Sequence, residues 1–324
     1  MTTAFVTGIT GQDGTILADR LVAEGTAVHG LVRTLDEASA HRELVPAGVT
    51  YHVGELTDHA HVAALVRDVA PDEVYNLAGI SSVAFSWEQP VLTGEVSGLG
   101  AVGVFDAAWR LQEESGRAVR VVQASSAEIF GRPDRVPQDE STAVRPISPY
   151  GAAKAYAHQM AATYRTRGLH VATCILYNHE SPWRPATFVT RKITQAAARI
   201  AQDGTGVLML GDTTVRRDWG WAPDYVEAMV RAVRHPTPDD FVIATGRTHT
   251  VAEFVEAAMR HAGVDGWEHH VATDPAFVRP ADVSEMVGDA TKARDVLGWQ
   301  PTVAFEEIVA RMVDLDLALA RDGR

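Results

Sequence analysis

Thr7-Gly8-Ile9-Thr10-Gly11-Gln12-Asp13-Gly14 is the segment that most narrows the folds open to this chain. It follows a short apolar run at 4–7 and opens a stretch of helical spacing at 15–24. Closely spaced glycines between a strand and a helix permit a tight turn and close backbone approach. The helix N-terminus then offers unpaired N–H groups and a positive dipole to a pyrophosphate. The unit repeats. Strand-like runs at 27–32, 49–53, 73–77 and 119–124 alternate with helical spacing at 59–69 and 99–112, and a helix at 150–167 precedes a strand at 170–177. Such alternation predicts a doubly wound, Rossmann-type parallel sheet in an α/β protein.

Beyond residue 178 the pattern loosens. Helices are expected at 188–202, 226–234, 251–262 and 303–319, with short strands at 207–210 and 241–244. We therefore expect a dinucleotide-binding domain over 1–178. A smaller, mixed substrate-binding lobe would occupy most of 179–324, with some segments returning to the first sheet.

Bulk properties exclude several classes. A chain of 324 residues, 46% apolar, can bury a large core. No uninterrupted apolar run approaches the roughly 18 residues that a membrane span needs, and the N-terminus lacks the zones of a signal peptide. Cys174 is the only cysteine, so no intramolecular disulfide forms. A reducing cytoplasm fits best. The net charge of −13 disfavours nonspecific nucleic-acid binding. The histidines show no metal-ligand spacing, so no metal is expected.

Candidate chemistry collects at strand ends. In Ser148-Pro149-Tyr150-Gly151-Ala152-Ala153-Lys154, the tyrosine and lysine fall one helical turn apart on one face. Lys154, Lys192 and Lys292 are the chain's only lysines, so this spacing is an unlikely accident. A nearby ammonium stabilises a phenolate, which predicts a lowered Tyr150 value and a general acid-base role. Ala124-Ser125-Ser126-Ala127-Glu128 adds a hydroxyl and a carboxylate at another strand end. At the end of the second strand stands Arg33, which suits a 2′-phosphate and favours NADP, with NAD possible. Glu55 and Leu56 follow the third strand, and Asn76, Leu77, Ala78 and Gly79 close the fourth, where ligands gather in such sheets. Gly8, Thr10, Gly11, Gln12, Asp13 and Gly14 complete the predicted cofactor site.

Taken together, the G-x-x-G-x-x-G turn, Ser126, Glu128, Tyr150 and Lys154 resemble the extended short-chain dehydrogenase/reductase superfamily. Gly11-Gln12-Asp13-Gly14, Tyr177-Asn178-His179-Glu180-Ser181-Pro182, Phe188-Val189-Thr190-Arg191-Lys192-Ile193, Arg217-Asp218-Trp219-Gly220, Asp240-Phe241-Val242-Ile243-Ala244-Thr245-Gly246 and Arg279-Pro280 resemble the GDP-mannose 4,6-dehydratase family over essentially the full length. That resemblance implies Ser81, His179 and Arg184 as further cofactor residues. It implies Ser86, Glu128, Asn178, Val189, Lys192, Arg217, Arg279 and Asp282 as substrate residues. Asn178 and the second-half cations would hold the diphosphate and base.

The implied reaction is a dehydration without net redox change on a nucleotide-diphosphate sugar, GDP-mannose first. Hydride leaves C4 for NADP while Tyr150, helped by Lys154 and Ser126, removes the hydroxyl proton. Glu128 takes the C5 proton that the 4-ketone acidifies and assists loss of the C6 hydroxyl, and hydride returns to C6. An NADP-dependent 4-reductase or epimerase of a related sugar would share Tyr150 and Lys154 but would not need Glu128. A noncatalytic dinucleotide sensor would not need the Tyr150–Lys154 pair. Four places depart from the family pattern: Arg33-Thr34 where two arginines are usual, Trp183-Arg184-Pro185-Ala186, Ser81-Ser82, and Ala127 where a serine is common. A homodimer or homotetramer is expected, packed through the helices at 99–112 and 150–167.

Overall fold

A computed structural model describes residues 1–40, 45–274 and 285–322. Its strands are β1 (Thr3–Thr7), β2 (Ala27–Val32), β3 (Thr50–Val53), β4 (Glu73–Asn76), β5 (Arg120–Ala124), β6 (His170–Leu176), β7 (Asn178–Glu180), β8 (Leu208–Leu210), β9 (Arg216–Arg217), β10 (Trp219–Trp221), β11 (Asp240–Ile243), β12 (His249–Thr250), β13 (Val271–Thr273) and β14 (Glu285–Met286). The helices are α1 (Gln12–Ala23), α2 (Leu35–Ala40), α3 (His59–Val69), α4 (Val83–Glu88), α5 (Pro90–Thr93), α6 (Gly100–Ser115), α7 (Pro149–Thr166), α8 (Val189–Asp203), α9 (Ala222–Arg234), α10 (Val251–His261), α11 (Thr291–Leu297) and α12 (Phe305–Arg321).

Seven strands form one parallel sheet in the order β11-β6-β5-β4-β1-β2-β3. Both faces are covered, which is why its central strands read as near-continuous apolar runs. One buried cluster joins β1, β5 and β6 to α1 and α9, and a second packs α3, α6 and α7 on the opposite face. The order reverses between β1 and β4, and that switch point is where such sheets open a ligand crevice. A third cluster joins α8, α10 and α12 around Trp219, Phe254 and Phe305. The small strands form separate sheets: β10 with β7, β12-β9-β14, and β13 with β8.

The helix expected at 99–112 starts earlier. A continuous helical run covers Pro90–Ser115, with a π-helical stretch, Gly94–Leu99, ahead of α6. Gly94, Gly98, Gly100 and Gly103 broke its apolar spacing in the sequence. The last three face neighbouring elements: the turn before α3, the start of α3 and α7. A Cβ on Gly100 would meet Leu56 Cβ at 2.9 Å, one on Gly103 the His59 ring at 2.9 Å, and one on Gly98 the Tyr156 ring at 3.4 Å. By length and composition alone this run is apolar enough to cross a bilayer, but its inner face packs into the core with α3 and α7.

Candidate active site

The glycine turn closes against the loop after β4. Gly8 has a positive φ of 72°, and a Cβ there would lie 2.8 Å from the Ala78 nitrogen. A Cβ on Gly14 would stand 2.2 Å from the Gly8 carbonyl, so α1 packs on its own turn as only glycine permits. Gly11 is the N-cap of α1, exposed and without a side-chain cap. An open helix N-terminus at the end of β1, beside the loop after β4, fits a dinucleotide pyrophosphate. Thr10 is half-buried beside it, while Arg33 at the end of β2 is largely exposed. Glu55 is exposed after β3, whereas Leu56 is buried in the core beneath α6.

Beneath the crevice runs a polar row of which the sequence pointed to Asn76 alone. Thr7, Asn76 and Gln123 stand at one level of β1, β4 and β5. Thr7 Oγ1 donates to Asn76 Oδ1 at 2.7 Å, and Asn76 Nδ2 to Gln123 Oε1 at 2.7 Å. Gln123 Nε2 donates to the Ala124 carbonyl at 2.9 Å, which also accepts from Lys154 Nζ at 2.8 Å. Thr7 Oγ1 further accepts from Ala78 N–H at 3.1 Å. The row ties the glycine turn, the Leu77-Ala78-Gly79 loop and the lysine into one frame. Its signal was available: each of the three apolar strands carries a polar residue at the same register near its end.

Tyr150 and Lys154 enter on α7. Ser148 caps that helix, accepting from Gly151 N–H at 3.0 Å, and Pro149 takes its first turn. Ser126 caps the short 3-10 turn Ala127–Ile129 by accepting from Glu128 N–H at 3.2 Å. The two starts are pressed together, because a Cβ on Gly151 would lie 2.5 Å from the Glu128 carbonyl. This close approach puts Glu128, half-buried, beside the first turn that carries Tyr150.

One expectation is overturned. Burial pushes the Tyr150 phenol up to about 12, against a Ser126 hydrogen bond that acts to lower it. The Lys154 ammonium lies 6.0 Å from the ring centre and is bonded to Ala124, and burial brings it down to about 8 against the pull of Asp13. Desolvation, invisible in a four-residue spacing, outweighs the pairwise effect.

A buried polar cluster joins the turn to β7. Asp13 Oδ2 lies 2.9 Å from His179 Nε2, and His179 Nδ1 lies 2.7 Å from the Tyr177 carbonyl. Gln12 Nε2 donates to the His179 carbonyl at 3.1 Å, while Ser181 Oγ donates to Gln12 Oε1 at 2.9 Å. Burial alone would raise the Asp13 carboxyl and lower the His179 imidazole, but their mutual attraction reverses both. They form an ion pair under the Tyr225 ring, whose centroid is 4.6 Å from that of His179. Arg184 lies over the Phe188 ring at 3.7 Å and 3.2 Å from Glu180, which also accepts from Thr190.

The remaining predicted residues spread over the second half. Asn178 is half-buried at the start of β7, and β10 pairs beside it. Arg217 is buried on β9, donating to the Arg216 carbonyl at 2.8 Å. The next residue, Asp218, is fully buried and accepts from the backbone of Thr245, Gly246 and Gly288. Burial pushes its carboxyl up to about 6, against those hydrogen bonds. Lys192 Nζ donates to the Met209 carbonyl at 2.7 Å, and Val189 is exposed at the start of α8. Ser81 is exposed, whereas Ser86 is fully buried and donates to the Val83 carbonyl at 2.6 Å. Arg279 and Asp282 lie outside the described residues. No cluster of three metal-ligating side chains occurs among the described residues.

A family model described as GDP-mannose 4,6 dehydratase matches residues 5–312. GDP-mannose 4,6 dehydratase 1 of Arabidopsis thaliana is 42% identical over 328 residues, spanning 98% of this chain and 90% of its own length. The Homo sapiens GDP-mannose 4,6 dehydratase is 39% identical over 346 residues, spanning 98% and 92%. Among solved structures, a Thermus thermophilus UDP-glucose 4-epimerase in complex with NAD gives a TM-score of 0.84 at 28% identity, covering 97% of this chain and 99% of that one. With a match this long, the chain belongs to the GDP-mannose 4,6-dehydratase family.

Proposed function

We propose that this protein is a hydro-lyase that converts GDP-mannose to GDP-4-keto-6-deoxymannose. The observation that carries the reading is the close approach of the Glu128 backbone to Gly151 in the helix turn bearing Tyr150, with the Glu128 carboxylate near enough for its charge to act on the Tyr150 phenol. A nicotinamide dinucleotide bound at the glycine turn supplies hydride acceptance at C4 and its return at C6. As its phenolate, Tyr150 takes the C4 hydroxyl proton, with the Ser126 hydrogen bond and the nearby Lys154 ammonium acting against the burial that favours the neutral phenol. Glu128 removes the C5 proton and assists departure of the C6 hydroxyl. Asn178, Lys192 and Arg217 hold the diphosphate and base, together with Arg279 and Asp282, while Val189 shapes the sugar pocket; Ser86, fully buried on the Val83 carbonyl, is not a substrate contact. His179 and Arg184 line the cofactor side with Ser81 and Glu55, whereas Leu56 belongs to the core beneath α6. Arg33 supports NADP, with NAD also accepted.

We assign residues 1–178 to cofactor binding and most of 179–324 to the substrate. Incubation with GDP-mannose should give a 4-keto-6-deoxy product without net accumulation or consumption of reduced cofactor. Stoichiometric consumption of NADPH would instead mark a 4-reductase.

Apolar side chains stand exposed on the helical run and beside it on α7: Val91, Leu92 and Leu99, with Tyr156 of α7, are 40–72% exposed. A second copy presenting the same side chains covers them in a closed, two-fold pair. Native mass measurement should therefore give a dimer or a dimer of dimers, and a monomer at micromolar concentration would contradict this. The buried, reduced thiol of Cys174 suits the cytoplasm.

A further inference from the structure

Arg33 is not the only charged side chain at the end of β2. Glu37, one turn into the chain beyond it, folds back across the glycine turn. Its Oε1 accepts from Thr10 Oγ1 at 2.9 Å, and its Oε2 accepts from both the backbone N–H and the Nε of Arg33 at 3.2 Å. The Glu37 backbone N–H is anchored in turn on Thr34 Oγ1 at 3.1 Å. Burial acts to raise the Glu37 carboxyl, but Thr10 and Arg33 hold it below its usual range, so it is anionic at neutral pH. Its side chain is 22% exposed and that of Arg33 is 73% exposed.

In this fold the space between the glycine turn and the end of β2 receives the adenosine ribose. A carboxylate there accepts from a free 2′-hydroxyl, and an arginine pairs with a 2′-phosphate. This chain places both groups at the position and pairs them with each other. One guanidinium edge cannot serve the carboxylate and a phosphate at once, and the phosphate brings negative charge against Glu37.

We infer that Glu37 sets the cofactor ratio of the site: with Glu37 seated on Thr10 and Arg33 the ribose pocket takes NAD, and NADP enters only as Arg33 leaves Glu37 for the 2′-phosphate. The inference rests on the dinucleotide reading of the glycine turn. It makes the site one of near-equal affinities, in which a single carboxylate offsets the preference that Arg33 alone would impose.

Isothermal titration of the full chain with NAD+ and, separately, with NADP+ tests this without reference to turnover. Wild type should bind the two within about tenfold of each other, because one charge-assisted contact is gained as another is lost. Glu37→Gln, and Glu37→Ala as a second variant, should move the ratio toward NADP+ by about tenfold or more. Arg33→Ala should weaken NADP+ by a similar factor and leave NAD+ within about twofold. A ratio unchanged by both Glu37 variants overturns the inference. An NADP+ affinity unchanged in Arg33→Ala overturns the assignment of Arg33 to the phosphate, and failure of wild type to bind either nucleotide overturns the dinucleotide reading itself.

Discussion

Glu128→Gln is expected to slow formation of the 4-keto-6-deoxy product by about 10²–10⁴-fold, the range that a positioned general base contributes, while nucleotide-sugar affinity stays within a few-fold. The substitution keeps side-chain length and volume. The backbone that places it is held independently, by Ser126 accepting from residue 128 N–H and by Gly151 packed on its carbonyl. What the amide lacks is a basic oxygen for the C5 proton. Titration calorimetry with GDP-mannose separates the two effects, since binding persists as turnover falls. In deuterated water the variant should also lose incorporation of solvent deuterium at C5. Wild-type turnover in Glu128→Gln would remove the distinction between this chemistry and simple oxidation or reduction at C4.

Lys154→Met should lose activity by about 10²–10⁴-fold and, in the same molecule, gain stability. Burial lowers the Lys154 ammonium from 10.5 to about 8. A folded value below the unfolded one means that the unfolded chain binds the proton more tightly. Stability is therefore present above 10.5 and declines progressively as pH falls toward 8, and the full loss persists at neutral pH. Methionine fills a similar volume without the buried charge. The Ala124 carbonyl keeps its second donor, Gln123 Nε2. We expect a gain of about 1–3 kcal/mol at pH 7 after the lost lysine hydrogen bond is counted. Urea unfolding at pH 7 and again near pH 10 checks the sign, since the gap must shrink as pH rises. A variant less stable than wild type at both values would mean that the lysine is held by attractions stronger than its desolvation.

How far the sequence carried these conclusions depended on the length of each signal. The glycine turn, the strands of the large sheet and α7 were legible because each combines an apolar run or period with a capping or turn residue. Strands β7, β9, β10, β12 and β14 have two or three residues each, too few to show a period, and they form only through partners far along the chain. The pairing of Glu37 with Thr10 spans 27 positions and depends on how α2 leaves the sheet. The Thr7–Asn76–Gln123 row needed the strand order before three scattered polar residues could be seen as one line. Tyr150 and Lys154 were found by spacing, yet the direction of the tyrosine shift was read wrongly, because burial is a property of the whole fold.

GDP-mannose carrying deuterium at C4 tests the central claim most directly. If hydride leaves C4 and returns to C6 within one active site, mass spectrometry of the product should find the label at C6, undiluted by unlabelled reduced cofactor added to the solution. Label released into the cofactor pool, with a product that retains its C6 hydroxyl, would contradict the account.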